Sequence, residues 1–287
     1  MAVPLVEDLL ERIHGAEALD KVAAPLSKAV ARLFPHGPVK DALSGTWLGH
    51  PLHPLLTDVA IGSWTSAFFL DVLGNEATEP AADDLVGIGV VSALPTALAG
   101  LSDWSDMLGA ARRVGLVHAA ANVVAVSCYG LSWFARRRGD RSRGVALGLL
   151  GATVATVGGF LGGHLSYRMG VNVDRHAWDE GGIEDWVEVA DDGDLVDGQP
   201  ALASADGMAV CLLKRGSTVL AIANVCGHAG GPLHEGELDD QDRITCPWHA
   251  STFRMEDGTV VHGPATAPQP GFETRVQDGK VSVRRRD

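Results

Sequence analysis

The chain has 287 residues, too many for one small module, and carries 36 acidic against 23 basic side chains, a formal net charge of −13. That balance, with no Lys/Arg patch interleaved with aromatics, excludes a phosphate-binding surface, so no nucleic acid is expected as a partner. Composition points to lipid instead, because 46% of residues are apolar, mean hydropathy is positive, and the apolar residues crowd between Leu55 and Gly163.

Residues 1–50 read as short amphipathic helices interrupted by Pro25, Pro35 and Pro38, an N-terminal interfacial segment ahead of the first apolar run. Their mixed charges predict neither a secretory signal nor a twin-arginine leader. Four apolar segments follow at 55–74, 85–102, 114–134 and 144–163, and the second and fourth contain no charge. Each approaches the ~20 residues that a helix needs to cross hydrocarbon. A soluble bundle would show polar residues at helical spacing, and these segments do not, so 51–167 is expected to form a four-helix transmembrane domain. Gly158 with Gly162, and Gly159 with Gly163, allow close helix packing in the fourth helix, and Pro95 introduces a kink in the second. Trp47, Trp64, Trp104 and Trp133 read as interface anchors.

With four crossings, both ends of the chain share one side of the membrane. Lys and Arg near the helix ends are balanced between the two sides, so the positive-inside rule selects neither. The expected absence of a leader able to export a folded domain places the C-terminal domain in the cytoplasm. His50 and His53 open the first helix, His118 lies one turn into the third, and His164 ends the fourth, so alternating helix directions put all four at a similar depth. Ionisable groups there need pairing, hydration or a ligand. Two readings stay open: helix caps and interhelical hydrogen bonds, or a second site holding a b-type haem or a non-haem metal. His53, His118 and His164 are the candidates for that site, with His50 beside them.

Residues 168–185 mix charge and Gly and read as a linker; from Trp186 short alternating strands and turns predict an all-β domain over 186–287. Within it, Cys226-Gly-His228 is followed by Cys246-Pro-Trp-His249. Each loop delivers one thiolate and one imidazole. Two thiolates on one iron and two imidazoles on the other make a [2Fe–2S] centre of raised potential. Tetrahedral zinc is the alternative for such a ligand set, but zinc-finger spacing puts both Cys first and both His last. The remaining Cys128 and Cys211 fall in an apolar helix and a strand, so a disulfide framework is not expected.

The order Cys, His, Cys, His, with Gly230, Pro232 and Leu233 after the first pair and Ser251 and Phe253 after the second, resembles the Rieske family. Gly263-Pro264, with Pro268 and Pro270, is similar to that family's proline-rich loop over the cluster. The resemblance implies a [2Fe–2S] cluster held by Cys226, His228, Cys246 and His249, with Ser251 donating a hydrogen bond to a cluster sulfur. Gly231 and Trp248 stand where quinol-oxidising members have a disulfide, which is similar to the ferredoxin and oxygenase branch. Phe253 stands where the high-potential branch has a tyrosine donor, so a potential in the lower or middle part of the range from roughly −150 to +300 mV is expected. The H-P-x-H-P start at His50–Pro54 resembles an uncharacterised bacterial membrane family.

These features predict a multidomain membrane-anchored one-electron carrier, a component of a quinone- or haem-linked redox chain rather than a stand-alone enzyme. Its partners would be the bilayer and an electron donor and acceptor such as a quinone, reductase or oxygenase, and an oligomer is compatible with the sequence. A ferredoxin-like donor to a soluble oxygenase or reductase, and a non-catalytic redox sensor, are the alternatives.

Overall fold

The computed structural model describes residues 4–179 and 183–286. Two compact units emerge, Met1–Phe34 with Leu52–Val171, and Pro35–Pro51 with Asn172–Asp287. The stretch read from the sequence as one interfacial segment, 1–50, is thus shared between both units.

The first unit is helical: α1 (Pro4–Gly15), α2 (Asp20–Leu33), and four long helices α4 (Leu52–Leu73), α5 (Glu79–Ser105), α6 (Gly109–Arg137) and α7 (Arg141–Tyr167). All four long helices have the length and composition of membrane spans. Apolar side chains such as Leu55, Phe69, Ile88, Leu94, Val123, Leu149 and Phe160 point outward. A bundle that exposes its apolar residues and buries small ones needs lipid as its solvent. Small residues line the contacts: a Cβ on Gly89 would fall within 2.2 Å of the Trp64 ring, and one on Gly87 within 2.7 Å of Trp133. Trp64 and Trp104, expected as interface anchors, are buried. Trp64 stacks on Tyr129 at 4.1 Å, and Trp104 donates its indole N–H to the Arg112 carbonyl at 2.9 Å. Helices α1 and α2 pack on the bundle through Leu10, Ala23 and Val30, and Arg112 and Arg113 both pair with Asp20.

The second unit is antiparallel β, with sheets ordered β1–β10–β9, β2–β3–β4 and β5–β6–β7–β8. Their ranges are β1 Val187–Asp191, β2 Pro200–Ala205, β3 Met208–Arg215, β4 Thr218–Ala223, β5 Glu237–Leu238, β6 Arg243–Thr245, β7 Thr252–Arg254, β8 Val260–His262, β9 Phe272–Gln277 and β10 Lys280–Arg285. One core gathers Val210, Leu212, Ala221, Phe272 and Val281; a second gathers Leu213, Ile222, Ile244, Phe253 and Met255 around Cys226 and Cys246. The short helix α3 (Pro38–Ser44) belongs to this unit. Residues 172–179, read as linker, pack on it as well: Arg175 N–H donates to Gly227 O, and His176 Nε2 lies 2.6 Å from Val225 O. Of the acidic stretch Glu180–Asp197, residues 180–182 lie outside the described residues.

Candidate functional site

Two loops of the same construction meet beneath the second core. The first follows β4 and the second joins β6 to β7. In each, the cysteine N–H donates to the carbonyl five residues on (Cys226 to Gly231, Cys246 to Ser251, both 2.8 Å), and the residue four on returns its N–H to the cysteine carbonyl (Gly230 at 2.8 Å, Ala250 at 3.0 Å). That returning residue takes positive φ in both, +89° at Gly230 and +57° at Ala250. Glycine does so freely; alanine does so only because the surrounding hydrogen bonds fix the turn.

The closed loops turn their next backbone N–H groups onto sulfur, those of His228 and Ala229 toward Cys226 and those of Trp248 and His249 toward Cys246. The two thiols are buried and lie within hydrogen-bond reach of one another. The hydrogen bond from the Cys226 thiol, with the converging N–H groups, holds Cys246 below the ordinary thiol value, while the same contact and burial push the Cys226 thiol up. Beside them the His228 and His249 rings meet edge to face, centroids 5.0 Å apart. Both rings are partly exposed, yet the Nδ1 atom of each is buried, so Nδ1 faces inward and the opposite edge faces out.

The four side chains expected as ligands therefore come together as a cysteine pair and a histidine pair. A binuclear cluster that takes two ligands on each iron fits the arrangement.

Around the loops, Ser251 is fully buried and its Oγ accepts from Ala265 N–H at 2.9 Å, leaving its own proton free to point to a cluster sulfur. Phe253 is fully buried. A Cβ on Gly231 would lie 2.7 Å from Cys246 Sγ and 3.0 Å from Trp248 Cγ, so the two positions where the sequence lacks the disulfide are in contact, filled by the indole. Three contributors were missed in the sequence. Gln269 is buried between loop and proline-rich segment, accepting from Gly227 N–H and donating to Ala223 O and Val225 O. His176 braces the first loop through Val225, and Asp41 holds His262 and Gly263. The Pro268-Gln-Pro270 sequence was the signal available for Gln269, a lone polar side chain between two prolines that lack an N–H, and its own N–H donates to Gly258 O at 2.9 Å.

The second expected site does not assemble as one set. His53 and His118 meet, their centroids 6.4 Å apart. His164 instead pairs with His14 of α1, Nε2 to Nε2 at 3.1 Å, because α1 packs against α7 where the sequence suggested only an interfacial segment. His50 belongs to the other unit and faces Pro51 O at 3.0 Å.

Compared with known families, residues 185–273 match the Rieske [2Fe-2S] domain, and residues 49–175 match a predicted membrane protein family, DUF2231. The chain is 30% identical over 74 residues to the ferredoxin subunit of 3-phenylpropionate/cinnamic acid dioxygenase from Escherichia coli K12, covering 26% of this chain and 70% of that one. Identity is also 30% over 74 residues to the cytochrome b6-f complex iron-sulfur subunit of Chlorobaculum tepidum, and there the match spans only 39% of the relative's length and 26% of this chain. Among solved structures, the ferredoxin of carbazole 1,9a-dioxygenase from Nocardioides aromaticivorans IC177 is 29% identical with a TM-score of 0.34, covering 35% of this chain and 97% of that one.

Proposed function

The chain belongs to the Rieske [2Fe–2S] family and carries a predicted membrane domain ahead of its cluster domain, and on that premise we propose a membrane-anchored one-electron carrier whose cluster is held by Cys226 and Cys246 on one iron and His228 and His249 on the other. The observation that carries the reading is the pair of like-built loops that brings two buried thiols against two inward Nδ1 atoms. When bound, such a cluster takes up and releases single electrons at a potential raised by its imidazoles.

The chain's own residues supply the rest. Backbone N–H groups donate to both sulfurs and so favour the thiolate form that iron takes, and the apolar shell of Leu233, Ile244, Phe253 and Met255 excludes water from the inner side. The outer edges of His228 and His249 are the route to a partner, beside Trp248, which is 56% exposed. We read the chain as a component of a quinone- or haem-linked redox chain. A ferredoxin-like donor to a soluble oxygenase or reductase is the second reading, favoured by Trp248 lying on Gly231 in place of a disulfide. We read the cluster domain as cytoplasmic; Cys211, its one cysteine outside the cluster loops, is a free buried thiol, as suits a reducing compartment.

The test is EPR of the anaerobically purified, dithionite-reduced full-length protein, with iron and sulfide analysis. A Rieske-type signal that Cys246→Ser abolishes supports the assignment; stoichiometric zinc without sulfide overturns it.

A further inference from the structure

The membrane bundle is an internal repeat, and its symmetry singles out one histidine pair. Asp71 and Arg136, an ion pair, are 65 residues apart. The same interval relates His53 to His118, Thr57 to Asn122 and Trp64 to Tyr129. Between α5 and α7 the interval is 62, as for Glu79 and Arg141, and it relates Gly89 to Gly151, Thr96 to Gly158 and Gly100 to Gly162. The related residues touch: Trp64 stacks on Tyr129, Arg141 bonds Glu79 at 3.0 Å, and the His53 ring meets that of His118. Equivalent residues in mutual contact must straddle the symmetry axis, so the hairpins α4–α5 and α6–α7 are related by a pseudo-twofold running along the bundle.

On that axis both imidazoles are held in the same way. His53 Nδ1 lies 2.9 Å from Thr96 O and His118 Nδ1 lies 2.8 Å from Gly158 O, the repeat-related carbonyls. A carbonyl only accepts, so each Nδ1 carries the proton and each Nε2 presents a lone pair, the form in which histidine ligates metal. Each ring rests on the glycine four residues beyond its carbonyl. A Cβ would lie 2.7 Å from His53 Cε1 at Gly100 and 3.1 Å from His118 Cε1 at Gly162. Asn122 Nδ2 lies 3.1 Å from His118 Nε2, a hydrogen bond that a metal on that nitrogen displaces, whereas its counterpart Thr57 is turned to His53 O and gives His53 Nε2 no matching donor.

We propose that His53 and His118 are the two axial ligands of a haem b bound on the pseudo-twofold axis of the membrane bundle. Two imidazoles on opposite faces of one metal, each about 2.0 Å from it, set their ring centres about 6 Å apart, and the rings here are 6.4 Å apart. Among the described residues no third His, Cys, Asp or Glu completes a group for a bare cation. A porphyrin brings four equatorial nitrogens of its own and needs two axial ligands from facing helices. The site stands on the bundle alone and does not depend on the cluster.

The full-length protein, purified in detergent with haem supplied during expression, is assayed for haem by pyridine haemochromogen, for axial ligation by optical and EPR spectra, and for cluster EPR in the same sample. About one low-spin haem per chain is expected, lost in His53→Ala and in His118→Ala and retained in His14→Ala and His164→Ala. His118→Met should keep haem with a changed ligand-field spectrum, a result that misfolding would not give. Wild-type protein that takes up no haem on purification or on hemin titration, or a His53→Ala,His118→Ala double variant that binds it equally, overturns the proposal. Cluster EPR without haem retains the electron-carrier reading and rejects this one; haem without a cluster signal does the reverse.

Discussion

Asp41 Oδ1 accepts the backbone N–H of Gly263 at 2.8 Å across 222 residues of sequence, while its Oδ2 lies 2.9 Å from His262 Nδ1. Thr46 adds a hydrogen bond to Ala265 O at 3.3 Å. The segment just before the membrane helices thus clamps the proline-rich loop of the cluster unit, and Ala265 in turn donates to Ser251. Asp41→Ala removes the acceptor of a backbone N–H and should cost about 1–3 kcal/mol locally. The expected outcome is faster amide exchange at 262–265 and faster bleaching of the cluster in air, with Asp41→Asn intermediate because its amide oxygen still accepts from Gly263. Unchanged exchange in Asp41→Ala would show that Thr46 alone holds the loop.

Gly231 has no room for a side chain. Its added Cβ meets Cys246 Sγ at 2.7 Å, and that sulfur is fixed by its loop. Gly231→Ala should therefore lower iron and sulfide content per chain and destabilise the domain by about 1–3 kcal/mol, as overpacking does. Trp248→Ala leaves the glycine's backbone untouched and should keep the cluster while exposing it to solvent, which a raised rate of oxidative loss would report.

Ser251 and Phe253 are both fully buried beside the second cluster loop, where a hydroxyl gained or lost would act on a cluster sulfur. Ser251→Ala removes a hydroxyl available to a sulfur, and Phe253→Tyr introduces one in a fully buried position. A hydrogen bond to a charged group contributes about 1.5–3 kcal/mol, and about 1.4 kcal/mol corresponds to roughly 60 mV in a one-electron couple. The midpoint should fall by about 60 mV or more in Ser251→Ala and rise by a similar amount in Phe253→Tyr. A redox titration followed by EPR reads both, and a shift of the same sign in the two variants would contradict the assignment.

Asp20 makes the docking of α1 and α2 sensitive to acid. The hydrogen bond from Arg113, with help from Arg112, holds its carboxyl below the usual 3.8 despite some desolvation. A lowered carboxyl contributes stability above its ordinary value and loses it as pH falls through the depressed one. Limited proteolysis of residues 4–33 should accelerate below about pH 4 in the wild type. In Asp20→Asn it should be fast and nearly independent of pH.

What could be read in the sequence was what chemistry fixes locally. Cys226, His228, Cys246 and His249 are legible because a cluster needs those atoms within two short loops, and the four spans because lipid demands unbroken apolar runs. The partners that distance hides were not legible. Asp41 finds Gly263 across 222 residues of sequence, His164 finds His14, and Asp174, Arg175 and His176 settle on the first cluster loop where charge and Gly read as linker. The repeat was also hidden, since Trp64 with Tyr129 and Asp71 with Arg136 conserve contact across the axis and not residue type.

Arg136 closes the far end of the repeat. Its guanidinium is fully buried, bonded to Asp71 and Asp83, and Arg141 bridges the same two carboxylates. Such a network desolvates several charges at once, so removing one partner strands the others. Arg136→Ala leaves Asp71, itself only 7% exposed, facing Arg141 alone and should destabilise the bundle by about 3–5 kcal/mol. Arg136→Met, of similar volume, would still leave the carboxylates, whereas Asp71→Asn with Arg136→Met removes charge from both sides and should recover part of the loss. A thermal-unfolding cycle in detergent over the wild type, the two single variants and the double variant measures that coupling directly, and additive losses would mean the pair does not act as a unit.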